Sequence, residues 1–278
     1  MSTEIADHYA QKLNQETIIT ELKAAYPNGP THFQLAPIDQ LHIGGIKASL
    51  KLIDRMQAYS PQSVLDIGSG LGGLMRLAGE RLNLSITGLD ITHGLNQINQ
   101  RLTALSCKDT CSSLITGDAH SLPFADQTFD LIIFQHSLLN MPDDVRVLKE
   151  CQRILKTGGR IIMHEVLQGP QYSEMVYPVP WARKQEDSHL MQEQAFLDLL
   201  KAANFSVECF DDWSQDALAW RQRQATKEAN IEQQKPPVSP AMILGPEFKQ
   251  MGANIMRNLS SQAARVVEVV VKKGLQSD

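Results

Sequence analysis

Cysteine is scarce in this chain, with only Cys107, Cys111, Cys151 and Cys209 among 278 residues. The first two alone are close in sequence, and no histidine stands near them at the spacing of a zinc site, so no metal centre is expected. So few thiols fit a reducing compartment. Positive charge is not in excess either. The 26 Lys and Arg stand against 31 Asp and Glu, a net charge of −5, which gives no reason to expect nucleic acid as a partner. No apolar run approaches the ~18 residues of a membrane span. The N-terminus, Met1-Ser2-Thr3-Glu4-Ile5-Ala6-Asp7, is acidic and polar, the opposite of a secretory signal. Repeats and low-complexity tracts are absent. A cytoplasmic protein with no membrane partner is therefore expected. What remains is ordinary globular composition, 42% hydrophobic and 21% charged, in a length able to bury a full core.

The informative stretch is Val64-Leu65-Asp66-Ile67-Gly68-Ser69-Gly70-Leu71-Gly72-Gly73. A short apolar run carries an acid, opens into a glycine-rich turn and leads into a helical pattern through Leu82. Glycines at such a turn admit positive φ and let a ligand lie against bare backbone. Amides at the start of the next helix offer hydrogen bonds and a positive dipole end to an anionic group. Gly68-x-Gly70-x-x-Gly73 formally matches the dinucleotide fingerprint, so a nicotinamide-dependent oxidoreductase is one reading. Asp66 argues against it, because a diphosphate over this turn would meet a carboxylate. An ammonium or sulfonium ligand would be attracted.

From Ser63 to Phe210, short β-rich runs alternate with helical periodicity, which predicts a doubly wound, mostly parallel sheet. Strands are expected at 64–67, 84–89, 112–116, 129–135, 160–166 and 205–210. A last strand is expected at Val266 to Val271, with a helical continuation from Met251 as the competing reading. Asp143 or Asp144 should open a helix, and Thr157-Gly158-Gly159 should close it in a tight turn. Residues 1–60 read as a helical extension broken at Pro27-Asn28-Gly29-Pro30. Residues 61–278 read as the sheet domain, with a polar helical insertion at about 214–262 interrupted by Pro236-Pro237-Val238-Ser239-Pro240. Ligands of open α/β sheets sit beyond the carboxyl ends of the strands, where such extensions can form a lid.

The glycine turn with its acid resembles motif I of the class I S-adenosylmethionine (SAM) methyltransferases. Gly117-Asp118-Ala119-His120-Ser121-Leu122-Pro123-Phe124, running on to Phe129-Asp130, is similar to the link between strands three and four in their small-molecule branch. The resemblance covers residues 60 to 170. It implies a seven-stranded class I fold and SAM as cofactor, with S-adenosylhomocysteine as product. Asp66, Gly68, Ser69 and Gly70 would face the methionine end, Asp90 the ribose hydroxyls, and Ile91 the adenine face. Asp118 and Ala119 would meet the adenine edge, and Gln135 the methyl end. Upstream, His42-Ile43-Gly44-Gly45 is similar to a His-x-Gly-Gly segment of the sarcosine/dimethylglycine methyltransferase-like group, which implies that Gly44 and Gly45 approach the cofactor. Val179-Pro180-Trp181-Ala182 is similar to a segment in that group too.

A sulfonium methyl is already activated, so alignment and exclusion of water are the main tasks. An amine acceptor needs only its lone pair, whereas a hydroxyl or acidic carbon needs a base. His42, His136, His164 and Glu165 fall in regions expected to meet at the sheet edge, and His136 and His42 are the catalytic candidates. Trp181 and Tyr177 are candidates to box an ammonium. The expected activity is methyl transfer to a small amine or amino acid derivative, possible also in a homodimer. A hydroxyl or carbon of a quinone, lipid or secondary metabolite is the alternative acceptor, and a non-catalytic SAM-binding protein is a further alternative.

Overall fold

The computed structural model describes residues 14–106, 112–230 and 237–274. Among the described residues, three helices precede the sheet: α1 (Gln15–Ala25), α2 (His32–Asp39) and α3 (Gly45–Tyr59). The chain then alternates as the sequence predicts, through β1 (Val64–Ile67), α4 (Gly73–Leu82), β2 (Ile86–Asp90), α5 (His93–Ser106), β3 (Ser113–Thr116) and β4 (Phe129–Gln135). It continues with α6 (Asp144–Ile154), β5 (Leu155–Gln168), α7 (Glu193–Ala202), β6 (Phe205–Asp212) and α8 (Ser214–Asn230). The described part ends with α9 (Ala241–Leu244), α10 (Phe248–Ser260) and β7 (Ala264–Lys273). The strand expected at Val266 to Val271 lies within β7, and the competing helical continuation from Met251 stops at Ser260.

The strands form one seven-stranded sheet in the order β3-β2-β1-β4-β5-β7-β6. Pairing is parallel from β3 to β5, and β7 is antiparallel to both of its neighbours. The order reverses between β1 and β4, which opens a crevice at their carboxyl ends. Strand β4 is apolar because it is covered on both faces: Leu131 to Phe134 are almost wholly buried. One face packs on α6 and α7 through Val147, Leu148, Phe196 and Leu200. The opposite face packs on α3 and α4 through Leu52, Met56, Leu74 and Leu77. The turn expected at Thr157-Gly158-Gly159 is absorbed into β5, where the pairing with β4 slips between Phe129 and Leu131.

The N-terminal helices are joined to the sheet by a buried ion pair. Arg76 Nη2 of α4 meets Asp39 Oδ2 of α2 at 2.8 Å, with both side chains at most 2% exposed. The same guanidinium donates to the Leu71 carbonyl, to Asn99 Oδ1 at 3.0 Å and to Thr103 Oγ1 at 3.1 Å. Burial outweighs the pull of Arg76 and raises the Asp39 carboxyl above its ordinary range. Surface pairs such as Arg101–Glu16 add little beside it. Among the described residues, no helix is long and apolar enough to cross a membrane.

Breaking the buried pair from one side strands a carboxyl. Arg76→Met should lower stability by about 3–5 kcal/mol in urea unfolding, and Arg76→Met with Asp39→Leu should recover much of that loss.

Candidate active site

The β1–α4 turn builds the floor of a cleft. The Gly68 and Ser69 amides donate to the Leu89 carbonyl of β2 at 2.8 and 3.1 Å, tying the turn across the crevice. Gly68 and Gly70 both have positive φ, 80° and 52°, but for different reasons. A Cβ on Gly68 would lie 2.5 Å from Ser137 Cβ, so this glycine serves close packing of two strand ends. A Cβ on Gly70 would meet nothing within 4 Å, so its bare backbone faces open space. The Gly70 amide donates to Asp90 Oδ2 at 2.9 Å, and the Thr92 amide donates to Oδ1 at 2.8 Å. That leaves lone pairs on the Asp90 carboxylate for further donors. Asp66, 3% exposed, has no hydrogen bond or ion pair to its carboxylate among the described residues. Burial, with Asp90 nearby, pushes it up to about 7.

The rim beyond β3 is a braced loop. Asp118 accepts from the His120 amide at 2.9 Å and contacts His120 Nδ1 at 2.5 Å, while His120 Nε2 contacts the Pro142 carbonyl. Arg153 of α6 donates to the Phe124 and Leu122 carbonyls at 2.7 and 3.0 Å and pairs with Glu150 and Asp126. No sequence pattern marked Arg153, although its place in the last turn of an amphipathic helix beside this loop was a usable signal.

At the carboxyl end of β4 and β5, three imidazoles gather. The ring centroids of His136 and His164 are 5.1 Å apart in a stack, and those of His42 lie 5.9 Å from His136 and 6.0 Å from His164. Carbonyls only accept, so the 2.9 Å contacts of His42 Nε2 to Gly45 O and of His164 Nε2 to Ile43 O place a proton on each Nε2. His136 adopts φ 54°, and its own Nε2 is buried without a partner. Burial lowers all three, His42 to about 3, His164 to about 4 and His136 well below its ordinary range, so the cluster is neutral. Gln135 Nε2 donates to Ser49 Oγ at 3.1 Å, and Ser49 donates to Gln40 Oε1 at 2.6 Å.

The structure corrects the expectation for Gly44 and Gly45. Neither lines the cleft. Gly44, at φ 98°, is the N-cap of α3, and a Cβ there would lie 2.4 Å from the Trp213 ring. A Cβ on Gly45 would lie 3.1 Å from Trp220. Their smallness serves two indoles that sequence reasoning missed. Glu165 also turns away from the cleft, accepting from the Ser137 and Leu138 amides at 3.0 and 2.9 Å. His164 stands behind the other two imidazoles, and Tyr177 is absent from the lining. His42, Asp66, Gly68, Ser69, Gly70, Asp90, Ile91, Asp118, Ala119, Gln135 and His136 all line one cleft, with Trp181, Ile243 and Leu244 added from later segments. Its empty volume, mouth included, is about 1480 Å³.

Four strand ends, those of β1 to β4, and one glycine turn therefore converge as the sequence order implies. Residues 65–163 match the family described as "Methyltransferase domain". The demethylmenaquinone methyltransferase of Thermotoga maritima is 36% identical over 118 residues, 42% of this chain and 49% of that protein. The sarcosine/dimethylglycine N-methyltransferase of Halorhodospira halochloris is 29% identical over 134 residues, 46% of this chain and 48% of that protein. The chain spans about half the length of the curated relatives it matches. Phosphoethanolamine N-methyltransferase 2 of Haemonchus contortus, solved with phosphomonomethylethanolamine and S-adenosylhomocysteine, superposes with a TM-score of 0.72 at 16% identity. That match covers 99% of this chain and 61% of the other, and it shows the class I methyltransferase fold.

Asp66 has a measurable signature. Between about 3.8 and about 7 the unfolded chain has lost this proton while the folded domain keeps it, so the residue costs stability as pH rises. Asp66→Asn should therefore gain on the wild type as pH is raised through that window and level off above it, as read by urea unfolding at each pH.

Proposed function

We propose that the chain is a methyltransferase that uses SAM as methyl donor and a small molecule as acceptor. The observation that carries this reading is Asp66, a buried carboxylate without a partner beside a glycine turn whose Gly70 faces open space. An anionic diphosphate gains nothing there, whereas an ammonium or sulfonium cation restores the charge balance. The residues fit the cofactor in order along the sheet. Asp66 would receive the methionine ammonium, and the start of α4 its carboxylate. Asp90 has lone pairs free for two ribose hydroxyls, Ile91 an apolar side for adenine, and Asp118 with Ala119 the adenine edge. Gln135 closes the methyl end.

When bound, SAM supplies a methyl group already activated toward a nucleophile. The chain's own part is to hold the acceptor in line, keep water out and accept a proton. His136 Nε2 is the free ring nitrogen at the end of β4, and His42 supports it from the α2–α3 connection. Residues up to about 60 act in this reading as a fixed cap, and the segment at about 214–262 as an inserted second cover. The same reading keeps nucleic acid and membranes from the partners, places the protein in the cytoplasm, and leaves a homodimer open to sedimentation measurements.

Titration calorimetry should detect SAM and not NADH, with affinity falling as pH drops through about 7 because Asp66 takes up a proton. Asp90→Ala should weaken SAM binding by about 1–3 kcal/mol. Binding of NADH in place of SAM would end the proposal.

Gly70→Asn separates packing from ligand contact. Asparagine tolerates the left-handed backbone, so the fold should persist while SAM binding is lost. His136→Ala should spare SAM affinity and lower kcat by about 10²–10⁴-fold.

A further inference from the structure

The acceptor end of the cleft is notable for its lack of charge. Among the described residues, no Lys, Arg or Glu lines the cleft anywhere. Its four aspartates are engaged or assigned: Asp39 with Arg76, Asp90 with two backbone amides, Asp118 with His120, and Asp66 at the glycine turn. The same lining includes Leu139, Asn140, Met141, Pro180, Trp181 and Leu244, none of them charged. A phosphate or carboxylate placed there would lose its hydration and find no cation, and an ammonium would find no anion.

The polar groups of the lining beside the aspartates are uncharged, and Gln135, Ser137 and Asn140 among them already donate to Ser49 and to the Ile67 and His136 carbonyls. His136 Nε2 and Trp181 Nε1 are both buried without hydrogen-bond partners. The indole N–H only donates, and the imidazole nitrogen can accept, which together complement a neutral oxygen that carries its own hydrogen. His42 and His164 cannot compete for that hydrogen through Nε2, because each spends its Nε2–H on a backbone carbonyl.

From this geometry we infer that the acceptor is an uncharged, largely apolar alcohol or phenol whose hydroxyl is held by His136, and not a phosphate ester, a carboxylate or an ammonium compound. The inference rests on the methyltransferase reading and narrows it. In the reaction a lone pair of the acceptor oxygen forms the O–CH3 bond. The S–CH3 bond breaks with its electron pair left on sulfur, and the hydroxyl proton passes to His136. The sulfonium charge disappears as the imidazolium charge appears, so the cleft holds one positive charge before and after the step.

Calorimetry with four compounds that share a ring system tests this: 2-naphthol, 2-naphthoate, 2-naphthyl phosphate and 2-naphthylmethylammonium, each added to the full chain saturated with S-adenosylhomocysteine. The naphthol should bind at least about tenfold more tightly than every charged counterpart. His136→Phe, which keeps an aromatic ring and removes the acceptor nitrogen, should abolish the preference of the protein for naphthol over naphthalene. A charged compound that binds as tightly as naphthol overturns the inference, and so does a failure of naphthol to bind. Saturation with S-adenosylhomocysteine is recorded before any acceptor is added. Failure at that stage overturns the methyltransferase reading itself and takes the inference with it.

Discussion

The cleft depends on one buried guanidinium. Arg76 reaches from the middle of α4 to Asp39 of α2, the Leu71 carbonyl of the glycine turn, and Asn99 and Thr103 of α5. A helix that carries the floor of the site is thereby locked to the turn before it, to the helix that follows Asp90, and to the N-terminal helices. Such a charge is costly to bury, and it is held only because four partners surround it. Its geometric effect is that α2 cannot swing from the sheet without exposing a charged pair to apolar surroundings. The N-terminal segment therefore behaves as a wall. Any opening that admits ligands falls to the segments carrying Trp181 and Leu244, which reach the cleft from later in the chain.

The electrostatics of the cleft divide along the sheet. Its β1–β2 side holds two buried carboxylates, and burial together with the nearby Asp90 disfavours the ionisation of Asp66. Its β4–β5 side holds three imidazoles that burial keeps neutral. Neither arrangement is favourable in the empty protein, and a cation lying between them relieves the first while leaving the second unchanged. Local cost of this kind is characteristic of sites shaped for a ligand.

Local pattern made much of this legible. β4 was readable as Phe129 to Gln135 because a run buried on both faces is continuously apolar, and α6 was readable from Asp143 and its heptad-like spacing. The glycine turn and the acid of β2 were readable because glycines at positive φ and a strand-end acid stand in a fixed order along the chain. What was not legible comes from contacts between distant residues. His164 meets the Ile43 carbonyl across 121 positions, so nothing in either neighbourhood announces the cluster. Gly44 and Gly45 read as ligand-facing glycines because sequence shows that a side chain is absent without showing which neighbour fills the space. Trp213 and Trp220, more than 160 residues away, fill it. Arg76 was invisible for a similar reason, since a lone Arg in a helical pattern reads as solvent-exposed.

The place of β7 has a consequence for how the molecule comes into being. This strand lies between β5 and β6 and forms the long antiparallel ladder that covers the edge of β5. During synthesis, β5 must wait about a hundred residues for its neighbour, with its hydrogen-bonding edge unpaired and its apolar side chains uncovered. The N-terminal cap, the glycine turn and the first four strands can assemble on the ribosome well before that. A nascent chain stalled short of residue 264 would carry a formed cleft and an open, adhesive sheet edge beside it, the state most exposed to chaperones and to aggregation.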